Sequence, residues 1–234
     1  MNKKKTLYWI YGIGLFCLIY AIIRYHIFKG VSWEYFPLYI LNKAISLTAV
    51  LLLAVSFLTR IFGHFSKLNK NSGIIFALVA LVLAVVHATI SGILLNPVTY
   101  PQIFSEGKIN FMGQASLLLA VLAFLTMLSM GVITLFRKLN AKIPIEKTFF
   151  SFLKYGSLGL TGGHVVFLGF DSGIKPEEWP GYLLPITLVA FLAGLGTIIY
   201  RLFYRRKAVE NPLSVKFINR EKEWPKPQKV KKLM

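Results

Sequence analysis

The chain has 234 residues, 56% of them hydrophobic and 15% charged, with a formal net charge of +18 and a mean hydropathy of +0.62. Soluble domains carry about 25% charged residues, so a soluble globular enzyme is excluded, as is a disordered or fibrous chain. The single cysteine, Cys17, excludes an internal disulfide, a paired-thiol relay and a cysteine-based zinc site.

Six stretches predict membrane spans, at about 6–23, 37–58, 73–95, 112–136, 148–170 and 181–204, each near the roughly 20 apolar residues that a spanning helix needs. The first is followed by Ile22-Ile23-Arg24-Tyr25 rather than a small-residue cleavage site, so it reads as a retained helix. The expected class is an all-α integral membrane protein, a bundle of six transmembrane helices. A basic tail over 206–234 follows the bundle, and the sequence predicts no second folded domain.

Lys3, Lys4 and Lys5, then Arg60, Lys67 and Lys70, then Arg137, Lys138, Lys142 and Lys147, and eleven basic residues from Arg201 onward fall on one side of this arrangement. The other side holds Arg24, Lys29, Lys108 and Lys175, with Lys43 at the edge of the second span. By the positive-inside rule both termini are cytoplasmic and the protein is a multi-pass protein of the cell membrane. The charge follows membrane orientation, and the tail suits anionic lipid. No aromatic-interleaved platform accompanies it, so nucleic acid is not an expected partner. Trp9 and Tyr11, and Trp179 and Tyr182, fit interfacial aromatic belts.

An ionisable group within a span marks a candidate functional site. Lys43 and Lys154 lie about two turns from span ends, where long side chains reach the interface. No span holds a central Asp or Glu, so a carboxylate proton relay and paired-carboxylate hydrolysis lack support. His26 and His64 fall in predicted loops, at solvent or headgroups. His87 and His164 are well inside the third and fifth spans, eight and six residues from their outer ends. At about 1.5 Å per residue their depths differ by a few ångströms, in the outer half of the bilayer. Neutral imidazoles so placed suit the two axial positions of a haem iron. Small neighbours leave room for a flat cofactor: Ala80, Ala84 and Ser91 near His87, and Gly156, Ser157, Gly159, Thr161, Gly162 and Gly163 near His164. The same residue types serve plain helix packing, and two buried histidines also serve as structural polar contacts or hold another ligand.

Three segments resemble the ferric-reductase-like transmembrane family, which includes eukaryotic iron reductases, NADPH oxidases and the haem-b membrane subunit of the bacterial methionine sulfoxide reductase system. They are Ala84-Val85-Val86-His87-Ala88, then Gly113-Gln114-Ala115-Ser116 running on to Thr126 and Ser129, and Tyr155 nine residues before His164. The resemblance covers roughly 40–205 and implies a six-helix haem-b core with histidines on its third and fifth helices. It implies His87 and His164 as iron ligands of one haem b, and electron transfer from a cytoplasmic-side flavin or quinone to an outer-side acceptor, a protein or ferric iron. Where the bacterial relatives have a further histidine this chain has Ser151, and Gly73 stands at the level of the other inner ligand, so no inner haem is implied. One haem on the third and fifth helices is also the arrangement of the six-helix metalloreductases of animals. About 13 residues, or ~20 Å of helix, separate Ser151 from His164, and the donor must bridge that distance. The segment after Tyr204 is too short for a flavin or nicotinamide domain, and no G-x-G-x-x-G follows a strand, which places the donor in a partner or a bound small molecule. The rival reading is a non-redox six-helix component, such as the substrate-binding subunit of a small-molecule importer. A structural subunit that has lost its haem is a third.

Overall fold

The computed structural model describes residues 3–66, 70–138 and 147–210. It is about 87% helical, with α1 at Lys3–Ala21, α2 at Leu41–Ser66, α3 at Lys70–Leu94, α4 at Phe111–Lys138, α5 at Lys147–Gly173 and α6 at Ile186–Glu210. Among the described residues five segments are long and apolar enough to cross a membrane: Lys4–Phe28, Trp33–Thr59, Asn71–Leu94, Phe111–Phe136 and Pro180–Phe203. This is the pattern of a multi-pass, all-α membrane protein. The fifth predicted span forms a 27-residue helix, α5, but is not among these five. Lys154, His164 and its many Gly, Ser and Thr residues dilute its apolar character.

The chain divides into two compact units, 1–198 and 199–234. The first holds the bundle. The second, as far as it is described, is the helical end of α6 to Glu210. Residues 211–234, and with them most of the basic tail, lie outside the described residues, as do Lys67 and Lys142.

Within the first unit the close pairs are α2 with α3 and α4 with α5, and α1 lies along α2. One apolar cluster gathers Leu52, Leu53 and Phe57 of α2, Phe76 and Ala80 of α3, Met127, Met130 and Ile133 of α4, and Leu153 and Leu158 of α5. A second joins Cys17 and Ala21 to Ile40, Ala44 and Leu47, and to Ile186 and Ala190 of α6. Large apolar side chains point outward as well, among them Leu15, Val82, Leu118, Val121 and Leu192. That arrangement suits lipid, where an apolar exterior costs nothing. Polar groups turn inward and pair between helices, as Thr6 Oγ1 does with Ser72 Oγ at 2.8 Å.

The ends of the spans are more ordered than their sequence suggests. The helix of α1 continues past Ala21 as a π-helical segment, Ile22–Phe28, so Arg24 is buried rather than in a loop. A second π-helical segment, Phe36–Ile40, leads into α2. His26, expected in solvent, donates from Nδ1 to the Val31 carbonyl at 2.8 Å and lies 4.1 Å from the Trp33 ring. Between α3 and α4 a short hairpin pairs β1, Phe104–Ser105, with β2, Lys108–Ile109. Its turn takes Glu106 and Gly107 through positive φ, at 50° and 74°, as two-residue hairpin turns require. Asn110 then caps α4, its Oδ1 accepting from the Gly113 amide at 2.9 Å.

Candidate functional site

His87 sits seven residues before the end of α3 at Leu94 and His164 nine before the end of α5 at Gly173, against the eight and six residues expected from the predicted span ends. Each imidazole is held by one nitrogen. His87 donates from Nδ1 to Asn42 Oδ1 at 2.8 Å, and Ser91 Oγ stands 3.3 Å from the same nitrogen. Asn42, on the first turn of α2 and wholly buried, donates in turn from Nδ2 to Ser91 Oγ at 3.0 Å. That bond orients the amide with its carbonyl oxygen toward His87. Burial raises the pKa of Tyr100 above the ordinary tyrosine value, against the lowering effect of Ser91 and Asn42.

His164 has an equivalent arrangement across α4 and α5. Its Nδ1 donates to the Ser116 carbonyl at 2.9 Å, with Ser116 Oγ also 2.9 Å away. The buried Ser116 hydroxyl donates to the His164 carbonyl at 3.2 Å. An acceptor at each Nδ1 selects the tautomer that carries its proton there and leaves the Nε2 lone pair outward. Neither Nε2 has a hydrogen-bond partner among the described residues, and neither is sealed from accessible space. The helices that carry the two rings make at most marginal contact, because α3 packs on α2 and α5 on α4.

The small residues divide by role. Ala80 is in the core rather than beside an open space. A Cβ on Gly163 would meet Leu119 at 3.0 Å and one on Gly162 would meet the Phe191 ring at 3.6 Å, so both serve helix packing. At Gly156 and Gly159 nothing lies within 4 Å. Ser157 and Thr161 bond back to carbonyls of their own helix. Gly73 lies against Thr59 and the Ser56 carbonyl so closely that no side chain fits. Gly73 is a helix–helix contact between α3 and α2.

Of the other residues singled out, Lys43 turns toward two tyrosines near the start of its helix. Its Nζ lies 5.4 Å from the Tyr39 ring centre and 4.9 Å from that of Tyr100. Lys154 Nζ is 4.7 Å from the Phe150 ring centre. Tyr155 is half-buried on α5. Among the described residues no group of three or more His, Cys, Asp or Glu side chains converges as a metal site, so two imidazoles are the ligand set at hand. An apolar groove of about 400 Å³ on α1, lined by Tyr8, Trp9, Gly12, Ile13 and Phe16, holds none of these residues. Asn42 and Tyr100 were not anticipated. A lone Asn beside Lys43 in an apolar span is costly enough in lipid to mark a polar partner, and that was the available signal. No known family and no curated protein sequence matches the chain.

Proposed function

We propose that the protein is a haem-b electron-transfer component of the ferric-reductase-like kind, an oxidoreductase subunit of the plasma membrane, with His87 and His164 as axial ligands in the outer half of the bilayer. In this reading α5 is a sixth span and both termini are cytoplasmic. One observation carries it: both intramembrane histidines are fixed through Nδ1 while Nε2 is left open, on two helices that do not pack together. A histidine acting only as a helix cross-link has no need of a second one in the same state nearby. Metal-bound histidines characteristically donate their other ring nitrogen to a carbonyl or similar acceptor. The chemistry of the donor set therefore fits a haem iron.

Haem, when bound, supplies a one-electron couple whose potential follows its axial ligands, burial and nearby hydrogen bonds. The chain's own contribution is positional. Asn42, Ser91 and the Ser116 carbonyl set the tautomer and ring angle of the two imidazoles and raise their basicity. The apolar residues of α2 to α5 exclude water. A cytoplasmic-side flavin or quinone would serve as donor, and an outer-side protein or ferric iron as acceptor.

The test is a dithionite-reduced minus air-oxidised spectrum of the detergent-purified protein made with ample haem. A b-type signal near one per chain is expected, lost in both His87→Ala and His164→Ala. A well-folded, haem-free wild type would refute the reading and favour a transport or assembly role.

A further inference from the structure

The two π-helical segments bring a second polar cluster together. Such segments make up well under 1% of residues in proteins and are frequent at functional sites. Ile22–Phe28 carries Arg24 and Tyr25, with Lys29 just beyond it, and Phe36–Ile40 carries Tyr39, with Lys43 one turn further. Arg24 is only 5% exposed. Its Nη1 donates to the Leu183 carbonyl, and its Nε is buried with no partner among the described residues. The guanidinium carbon lies 5.8 Å from the Tyr25 ring centre and Lys29 Nζ lies 5.9 Å from it. Tyr25 meets Tyr39 edge-on at 5.6 Å, and the Lys43 ammonium stands over Tyr39 and Tyr100. Partial burial of its side chain, and then the charge of Arg24, hold the Lys29 pKa below the ordinary lysine value.

Among the described residues no carboxylate pairs with Arg24, Lys29 or Lys43; the ion pair present is Lys175–Glu178. Arg24 is desolvated without a counter-ion, a cost that contacts with aromatic faces offset only in part. A cluster of three, with an orphaned N–H on its most buried member, is the complement of an anion. Beside it Ile27, Phe28, Trp33, Tyr35 and Leu38 are all exposed, an apolar and aromatic surface of the type that borders lipid headgroups. We propose that Arg24, Lys29 and Lys43 bind the phosphate of an anionic phospholipid, with its acyl chains along this surface. The proposal is independent of haem.

The test is native mass spectrometry and thermal unfolding of the full-length protein in detergent, with phosphatidylglycerol, phosphatidylcholine or inorganic phosphate added. Phosphatidylglycerol is expected to be retained and to raise the unfolding midpoint, and phosphatidylcholine to do neither. Retention should weaken about fivefold for each charge removed in Arg24→Gln, Lys43→Met and Lys29→Gln, and return in Lys43→Arg. Lys29→Gln, on an exposed residue, keeps the test valid if a buried substitution prevents folding. Equal retention of both lipids, or variants that hold phosphatidylglycerol like the wild type, would overturn the proposal, including where those variants lose haem alone. An equal effect of inorganic phosphate would overturn the lipid as the source.

Discussion

Asn42 and Ser116 hold the two histidines by different means, and the difference is measurable. Asn42 supplies the 2.8 Å acceptor to His87 through its side chain, so Asn42→Ala leaves only the longer Ser91 contact and an unfilled buried space. A loss of about 1–3 kcal/mol in stability is expected, with haem retention, if the proposed site is correct, lowered about 10–100-fold. Ser116 offers His164 its backbone carbonyl, which Ser116→Ala keeps. That variant should lose about 1 kcal/mol or less and retain its cofactor. Thermal unfolding and haem-to-protein ratio decide it, and a larger effect at Ser116 would contradict the assigned roles. His87 and His164 stand out in the sequence because an imidazole in a predicted span is unusual. Their partners do not, since a Ser is common in such helices and a backbone carbonyl leaves no trace in residue identity.

Helix pairing rests on close approach at particular glycines. Gly73 meets Thr59 and the Ser56 carbonyl, a backbone atom that cannot swing aside. Gly12 on α1 has nothing within 4 Å. Gly73→Ala is therefore expected to destabilise by about 1–3 kcal/mol. Gly12→Ala should be neutral or stabilising by up to about 1 kcal/mol, since alanine is the better helix former. Comparable losses in the two variants, measured by thermal unfolding in detergent, would place the α2–α3 contact elsewhere. Element positions were largely readable: α3 and α4 fall within a few residues of the stretches predicted at 73–95 and 112–136. The π-helical ends and the 104–109 hairpin were not. Both arise from backbone hydrogen bonding and packing rather than from apolar periodicity.

For the whole molecule, the proposed orientation and the sixth span are open to one labelling experiment. Cys17 is buried and the chain has no other cysteine, so Cys17→Ser provides a background without cysteines. In that background a membrane-impermeant maleimide applied to intact cells should label Gln102→Cys and Glu177→Cys. Asn71→Cys and Asn140→Cys should react only after permeabilisation. Labelling of Asn140→Cys and Glu177→Cys from the same side would show that α5 does not cross.

The sequence by itself determined the class of this protein, its helical elements and the choice of His87 and His164 as candidate residues. Those follow from the cost of placing backbone and charge in lipid, which acts on each residue where it stands. Only the tertiary structure decided which nitrogen of each imidazole is engaged, that Gly73 is a packing contact, and that Arg24, Lys29 and Lys43 gather around one group of tyrosines. Each depends on which surfaces of separate helices meet, and pairing between distant segments is not written in the periodicity of either.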